Sequence, residues 1–205
     1  MAAAQLTSLE TTVRQIAAAL DKEGRTWALV GGLAVSSRAE PRTTRDVDVV
    51  VAVRDDQDAE ALVFALQTAG FRVTGAVEQD AAGRLATARL LSAGESRRMG
   101  IVVDLLFASS GVEAEIASAA ERLEILPDLE VPVALKGHLI AMKVLSRDDA
   151  RRPRDAEDLR GLLAEASAED LALASGLLRL VTERGFHRRK DLERELARAL
   201  ADASR

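Results

Sequence analysis

The chain has 205 residues, 48% hydrophobic and 30% charged, with a formal net charge of −5 and no cysteine. That is room for one sizeable core or two compact lobes, in the balance expected of a soluble globular protein. It excludes disulfides and cysteine-based zinc sites, and no run approaches the roughly 20 apolar residues that span a bilayer.

Leu6, Leu9, Val13, Ile16 and Leu20 recur at helical spacing and predict a helix over 5–22. No signal peptide is read at the start, so the expected location is the cytoplasm, with no membrane partner. Trp27-Ala28-Leu29-Val30 is a short apolar run ended by Gly31-Gly32, the pattern of a buried strand entering a turn. A short helix over 32–39 is stopped by Pro41, and the polar loop Arg42-Thr43-Thr44-Arg45 follows. Asp46 to Val53 is the strongest strand, dominated by β-branched residues. Residues 56–69 predict an amphipathic helix closed by Gly70, and 71–77, 84–92 and 99–107 are three further strands. This interleaving predicts a sheet with packed helices up to about residue 125.

Beyond Pro132 the strand signal stops, and helices are expected over 133–147, 154–166, 168–184 and 188–202. The boundary is expected within 126–132, giving a sheet lobe, 1–128, and a helical lobe, 129–205. Residues 1–135 hold 13 basic and 20 acidic side chains, against 15 and 13 in 136–205. Overall acidity disfavours a broad nucleic-acid-coating surface, while a local basic groove remains open. Arg151-Arg152-Pro153-Arg154 and Arg188-Arg189-Lys190 are the two basic clusters; alone, each reads as a solvated helix end or loop.

Asp46 and Asp48 stand two apart on a strand, so their side chains leave one face while Val47 and Val49 point to the other. Adjacent carboxylates repel unless a cation or proton sits between them. Asp104 is a lone acid within Ile101 to Phe107, where a charge is otherwise costly. Three carboxylates converging from two strands can hold Mg²⁺, and two such ions about 3.5–4 Å apart stabilise an in-line displacement. Each feature alone also fits acids at an ordinary strand edge. The glycine turn, with thirteen residues between Gly32 and Asp46, is what makes the combination specific: glycines admit a phosphate closely, and the helix start offers N–H groups to it.

This arrangement resembles the polymerase β-like nucleotidyltransferase superfamily: a glycine-rich turn, an acid-x-acid strand, then a third acid on a later strand. Within it the chain is similar to the AbiEii/AbiGii toxin type. The first block is Gly31-Gly32-Leu33-Ala34 continuing to Arg42-Thr43-Thr44-Arg45-Asp46-Val47-Asp48, and the second is the strand carrying Asp104. The third is Leu139-Ile140-Ala141-Met142-Lys143 followed by Arg154-Asp155-Ala156-Glu157-Asp158-Leu159. Two departures stand out: Gly32 replaces a serine common in the superfamily, and the last forty residues match no motif of it.

The resemblance implies an α+β fold, a mixed sheet with flanking helices followed by a C-terminal helical lobe. It implies an NTP substrate, ATP among the possibilities, with Mg²⁺ or Mn²⁺ held by Asp46, Asp48 and Asp104. Gly31, Gly32, Arg42, Thr44 and Lys143 would bind the nucleotide. Lys143 would otherwise snorkel from an apolar stripe, and Arg42 would otherwise belong to a surface loop. Asp155 either orients Lys143 across a helix pair or caps its own helix, with Asp158 beside it. His138 and His187 read as bystanders. The implied acceptor is RNA, notably tRNA, or protein, in a toxin setting with a cognate antitoxin. Two alternatives stay open: a small-molecule, aminoglycoside-type transferase, and a degenerate non-enzymatic binding module.

Overall fold

The computed structural model describes residues 2–79, 83–93, 100–147 and 153–203; Met99, Arg151 and Arg152 fall outside them. Helix α1 (Ala2–Lys22) leads into β1 (Trp27–Val30), α2 (Gly31–Arg38), β2 (Asp46–Val51) and α3 (Asp56–Thr68). Then come β3 (Arg72–Gln79), β4 (Arg84–Leu91), β5 (Val102–Leu106), α4 (Glu113–Ser118), β6 (Glu121–Leu126) and β7 (Leu129–Val133). Four helices close the chain: α5 (Lys136–Ser146), α6 (Pro153–Ala164), α7 (Ala168–Glu183) and α8 (Leu192–Ala203).

Among the described residues the strands form one sheet in the order β3-β4-β5-β2-β1-β7-β6. The β2–β5 and β1–β7 pairs are parallel and the other four antiparallel. β1 is buried along its whole length, as a Trp-Ala-Leu-Val run demands. In β2 only Asp46 and Asp48 escape full burial. Asp55 caps α3 by accepting from the Asp58 N–H, and Ser167 and Asp170 form a reciprocal capping box at α7. No helix among the described residues is long and apolar enough to cross a membrane.

The helices α5 to α8 fall where the sequence predicts them, with their ends shifted by up to four residues. The expected boundary does not mark the end of the sheet. Residues 127–128 are the turn of a β6–β7 hairpin, Asp128 taking φ +59°, and β7 joins β1 at Val133. The chain therefore leaves the sheet after Val133. The apolar core then runs without a break from α1 (Ile16, Leu20) through the sheet to α5 (Leu139, Ile140) and α8 (Leu196). α2 touches both α5 and α6, which brings the glycine turn against the helical half.

Candidate active site

The turn between β1 and α2 decides where the first acid stands. Gly31 takes φ +63°, a left-handed conformation open to glycine without steric cost. Val30 is the cross-strand partner of Asp48, so Gly31 lies beside that carboxylate. A Cβ on residue 31 would sit 1.9 Å from Asp48 Oδ2. A Cβ on Gly32 would meet Thr44 Oγ1 at 2.7 Å and a guanidinium nitrogen of Arg42 at 2.9 Å. The glycines thus clear space for three of the residues that the sequence marks. Helix α2 starts on the same turn, and its N-cap, Val30, forms no side-chain cap, so the first-turn N–H groups suit an anion.

β2 and β5 deliver the carboxylates. Their parallel register sets Asp48 opposite Asp104 and Asp46 opposite Val102. Val47 and Val49 are buried on the other face. Burial pushes the Asp48 carboxyl up to about 6, and the charges of Asp104 and Asp46 add to it. Both oxygens of Asp104 are taken by Arg89, its register partner on β4, which donates from Nε at 2.8 Å and Nη2 at 2.7 Å.

An anionic, all-oxygen donor set on adjacent strands fits a hard cation such as Mg²⁺ or Mn²⁺ in chemistry and placement. As the side chains stand, no three acidic or imidazole groups among the described residues are gathered around a metal position.

The helical half contributes an ionic network. Lys143 Nζ of α5 lies 2.6 Å from Asp155 Oδ1 and 2.7 Å from Asp158 Oδ2, both on α6. Arg42, from the loop before β2, forks onto Asp158 through Nε and Nη2. Asp158 is 4% exposed. Burial opposes its charge, but the hydrogen bonds from Arg42 and Lys143 outweigh it and hold the carboxyl below its usual range. Asp155 lies in the first turn of α6, where its contact with Lys143 and a favourable place in the helix dipole coincide. Lys143 therefore stands matched by two carboxylates rather than as an isolated positive charge.

A cavity of about 790 Å³ opens where these parts meet. Nine of the ten residues marked from the sequence line it; the tenth, Asp158, lies beneath Arg42 and Lys143. The profile of the nucleotidyl transferase AbiEii toxin, type IV toxin–antitoxin system, matches residues 15–205.

The chain belongs to the AbiEii nucleotidyltransferase family.

Solved structures share the AbiEii chain's polymerase β-like fold. An antigenic nucleotidyltransferase-like protein from Paracoccidioides brasiliensis matches with TM-score 0.56 and 20% identity over 93% of each chain. The antibiotic-resistance factor ANT(2'')-Ia matches with TM-score 0.56 and 19% identity over 89% of this chain and 97% of its own. JHP933 from Helicobacter pylori matches with TM-score 0.50 and 14% identity over 97% and 90%. Such identities speak for the fold alone. No curated protein matches the chain in sequence.

Residues that the sequence did not mark also reach the AbiEii-family cavity. Arg89 is one, and Ser109 and Ser110, after β5, are two more. Buried Glu113 fixes that loop: its Oε1 accepts from Ser109 Oγ (2.9 Å), Ser110 Oγ (2.8 Å) and the Ser110 N–H (2.6 Å). The signal was a Ser-Ser-Gly turn with a glutamate three residues after the second serine, a helix-start pattern. Neither histidine lines this cavity. His138 is buried, which pushes its pKa down against the opposing charge of Glu115.

Proposed function

We propose that this AbiEii-family transferase moves a nucleoside monophosphate from an NTP to RNA, tRNA foremost, as the toxin of a pair with a cognate antitoxin. The observation that carries it is the level register of Asp48 and Asp104 on adjacent parallel strands, with Asp46 on the same face and Lys143 lining the same cavity. In the reaction an acceptor hydroxyl oxygen bonds to the α-phosphorus and gives up its proton to solvent, the bond to pyrophosphate breaks, and pyrophosphate leaves. Asp46, Asp48 and Asp104 would hold Mg²⁺ or Mn²⁺, which would supply charge neutralisation at the transferred group and acidify the attacking hydroxyl. The start of α2 offers N–H groups to the β- and γ-phosphates. Arg42, Thr44 and Lys143 line the same cavity, where the two cations would offset charge developing on the leaving group.

Four exposed arginines, Arg45, Arg89, Arg154 and Arg188, line the cavity. They favour a polyanionic acceptor over a cationic aminoglycoside, although the whole chain is acidic. Direct binding separates the two. Short RNA should bind with an affinity that falls steeply with salt, and an aminoglycoside should not bind. Aminoglycoside binding without RNA binding would reverse the choice of acceptor.

A further inference from the structure

The cross-strand row through the site reads Gly75, Arg89, Asp104, Asp48, Val30 from β3 to β1. It places an arginine where the carboxylate pair ends. Arg89 is the partner that Asp104 has in this structure, and the two side chains differ sharply in exposure, 58% against 14%. The guanidinium fork that fits a carboxylate also fits two oxygens of a phosphate. With each oxygen of Asp104 accepting from Arg89, a cation at Asp104 shares the carboxylate with the guanidinium and repels it, which weakens that pair. On the far side of Arg89, its β3 register partner is Gly75, which carries no side chain; a Cβ there would come no closer than 3.9 Å, to Arg89 Cβ. No side chain of that register partner therefore stands beside Arg89, which lines the cavity wall with Thr87.

We infer that Arg89 is a phosphate-binding residue of the transfer site, held by Asp104 in the free protein and exchanged onto a substrate phosphate when Asp104 turns to a cation. This rests on the proposed reading of the three carboxylates. No bond is made or broken; one charge-assisted contact replaces another. The exchange couples the two ligands. Without phosphate Arg89 competes with the cation, and with phosphate it aids both, so each raises the other's affinity.

The signs of this coupling make it testable. Mn²⁺ binding to the free protein is measured by calorimetry for wild type, Arg89→Ala and Arg89→Lys, with thermal unfolding as a check on folding. Removing the competitor should tighten Mn²⁺ binding about two- to fivefold in Arg89→Ala, the scale of a partly exposed ion pair. At saturating Mn²⁺, binding of an α,β-methylene nucleoside triphosphate or of a short oligoribonucleotide should weaken about tenfold. Arg89→Lys keeps the charge but not the fork, so it should fall between. Whichever ligand weakens identifies the source of the phosphate. Mn²⁺ binding that is unchanged or weaker in Arg89→Ala overturns the exchange alone, and so does phosphate binding unchanged with both ligands. Absence of Mn²⁺ binding in the wild type overturns the exchange together with the carboxylate reading, and Asp48→Asn, which should lose Mn²⁺, tests that reading separately.

Discussion

Gly31 and Asp48 share one space: the carboxylate fills the position that a side chain on residue 31 would need. Gly24 offers a matched comparison, with the same φ of +63° but nothing within 4 Å of its missing Cβ. Alanine at either position should lose about 1–2 kcal/mol to left-handed backbone strain. Only Gly31→Ala should also displace Asp48 and abolish nucleotidyl transfer. Thermal unfolding and a transfer assay on both variants check this. Equal activity in the two would mean that Gly31 serves the backbone alone.

Asp158 ties the loop before β2 to α5, because Arg42 and Lys143 meet on its carboxylate. Asp158→Ala takes the carboxylate from Arg42 and leaves Lys143 with Asp155 alone, and should cost about 3 kcal/mol, as for other broken buried pairs. Lys136→Ala loses only contacts to Glu165 and should cost less than about 1 kcal/mol. Denaturant unfolding of the two variants compares these losses.

The same carboxylate sets a pH dependence. Its folded pKa is depressed, below an unfolded value near 3.9. Its contribution is therefore complete above the unfolded pKa and is lost as pH falls through the folded one. Asp158→Asn should lower stability at neutral pH and flatten the acid limb of the stability–pH curve. An acid limb as steep as that of the wild type would assign the loss to other carboxylates.

Asp48 stands in the field of Asp46 and Asp104 and is itself largely buried. At neutral pH Asp48→Asn relieves that repulsion, so the metal-free variant should unfold at a higher temperature than the wild type. The stabilisation by NTP with Mg²⁺, about 2.7 kcal/mol at a hundredfold excess over Kd, should disappear with it. Calorimetric melts with and without ligand read both effects.

Asp46, Asp48 and Asp104 stood out in the sequence through a combination: an acid-x-acid strand, a lone acid in an apolar run where a charge is costly, and a glycine turn ahead of both. Arg89 was not. An exposed arginine on a strand is unremarkable, and its meaning depends on pairing with a residue 15 positions away, which only register reveals. The β6–β7 hairpin was missed for another reason. Glu121, Arg122 and Glu124 dilute its alternation, and Pro127 and Pro132 look like breaks. Pro132 is nonetheless tolerated where β7 meets β1 only at Val133. The Lys143 contacts were half legible. Helical spacing put Asp155 and Asp158 on neighbouring positions, but Arg42, more than a hundred residues earlier, completes the network.

The most direct measurement is transfer itself: purified protein, Mg²⁺, each of the four α-labelled NTPs in turn, and total cellular RNA, with Asp48→Asn in parallel. The geometry of Asp46, Asp48 and Asp104 predicts label covalently joined to RNA from at least one NTP with the wild type and none with the variant. No labelled RNA from any NTP, or equal labelling by Asp48→Asn, would contradict it.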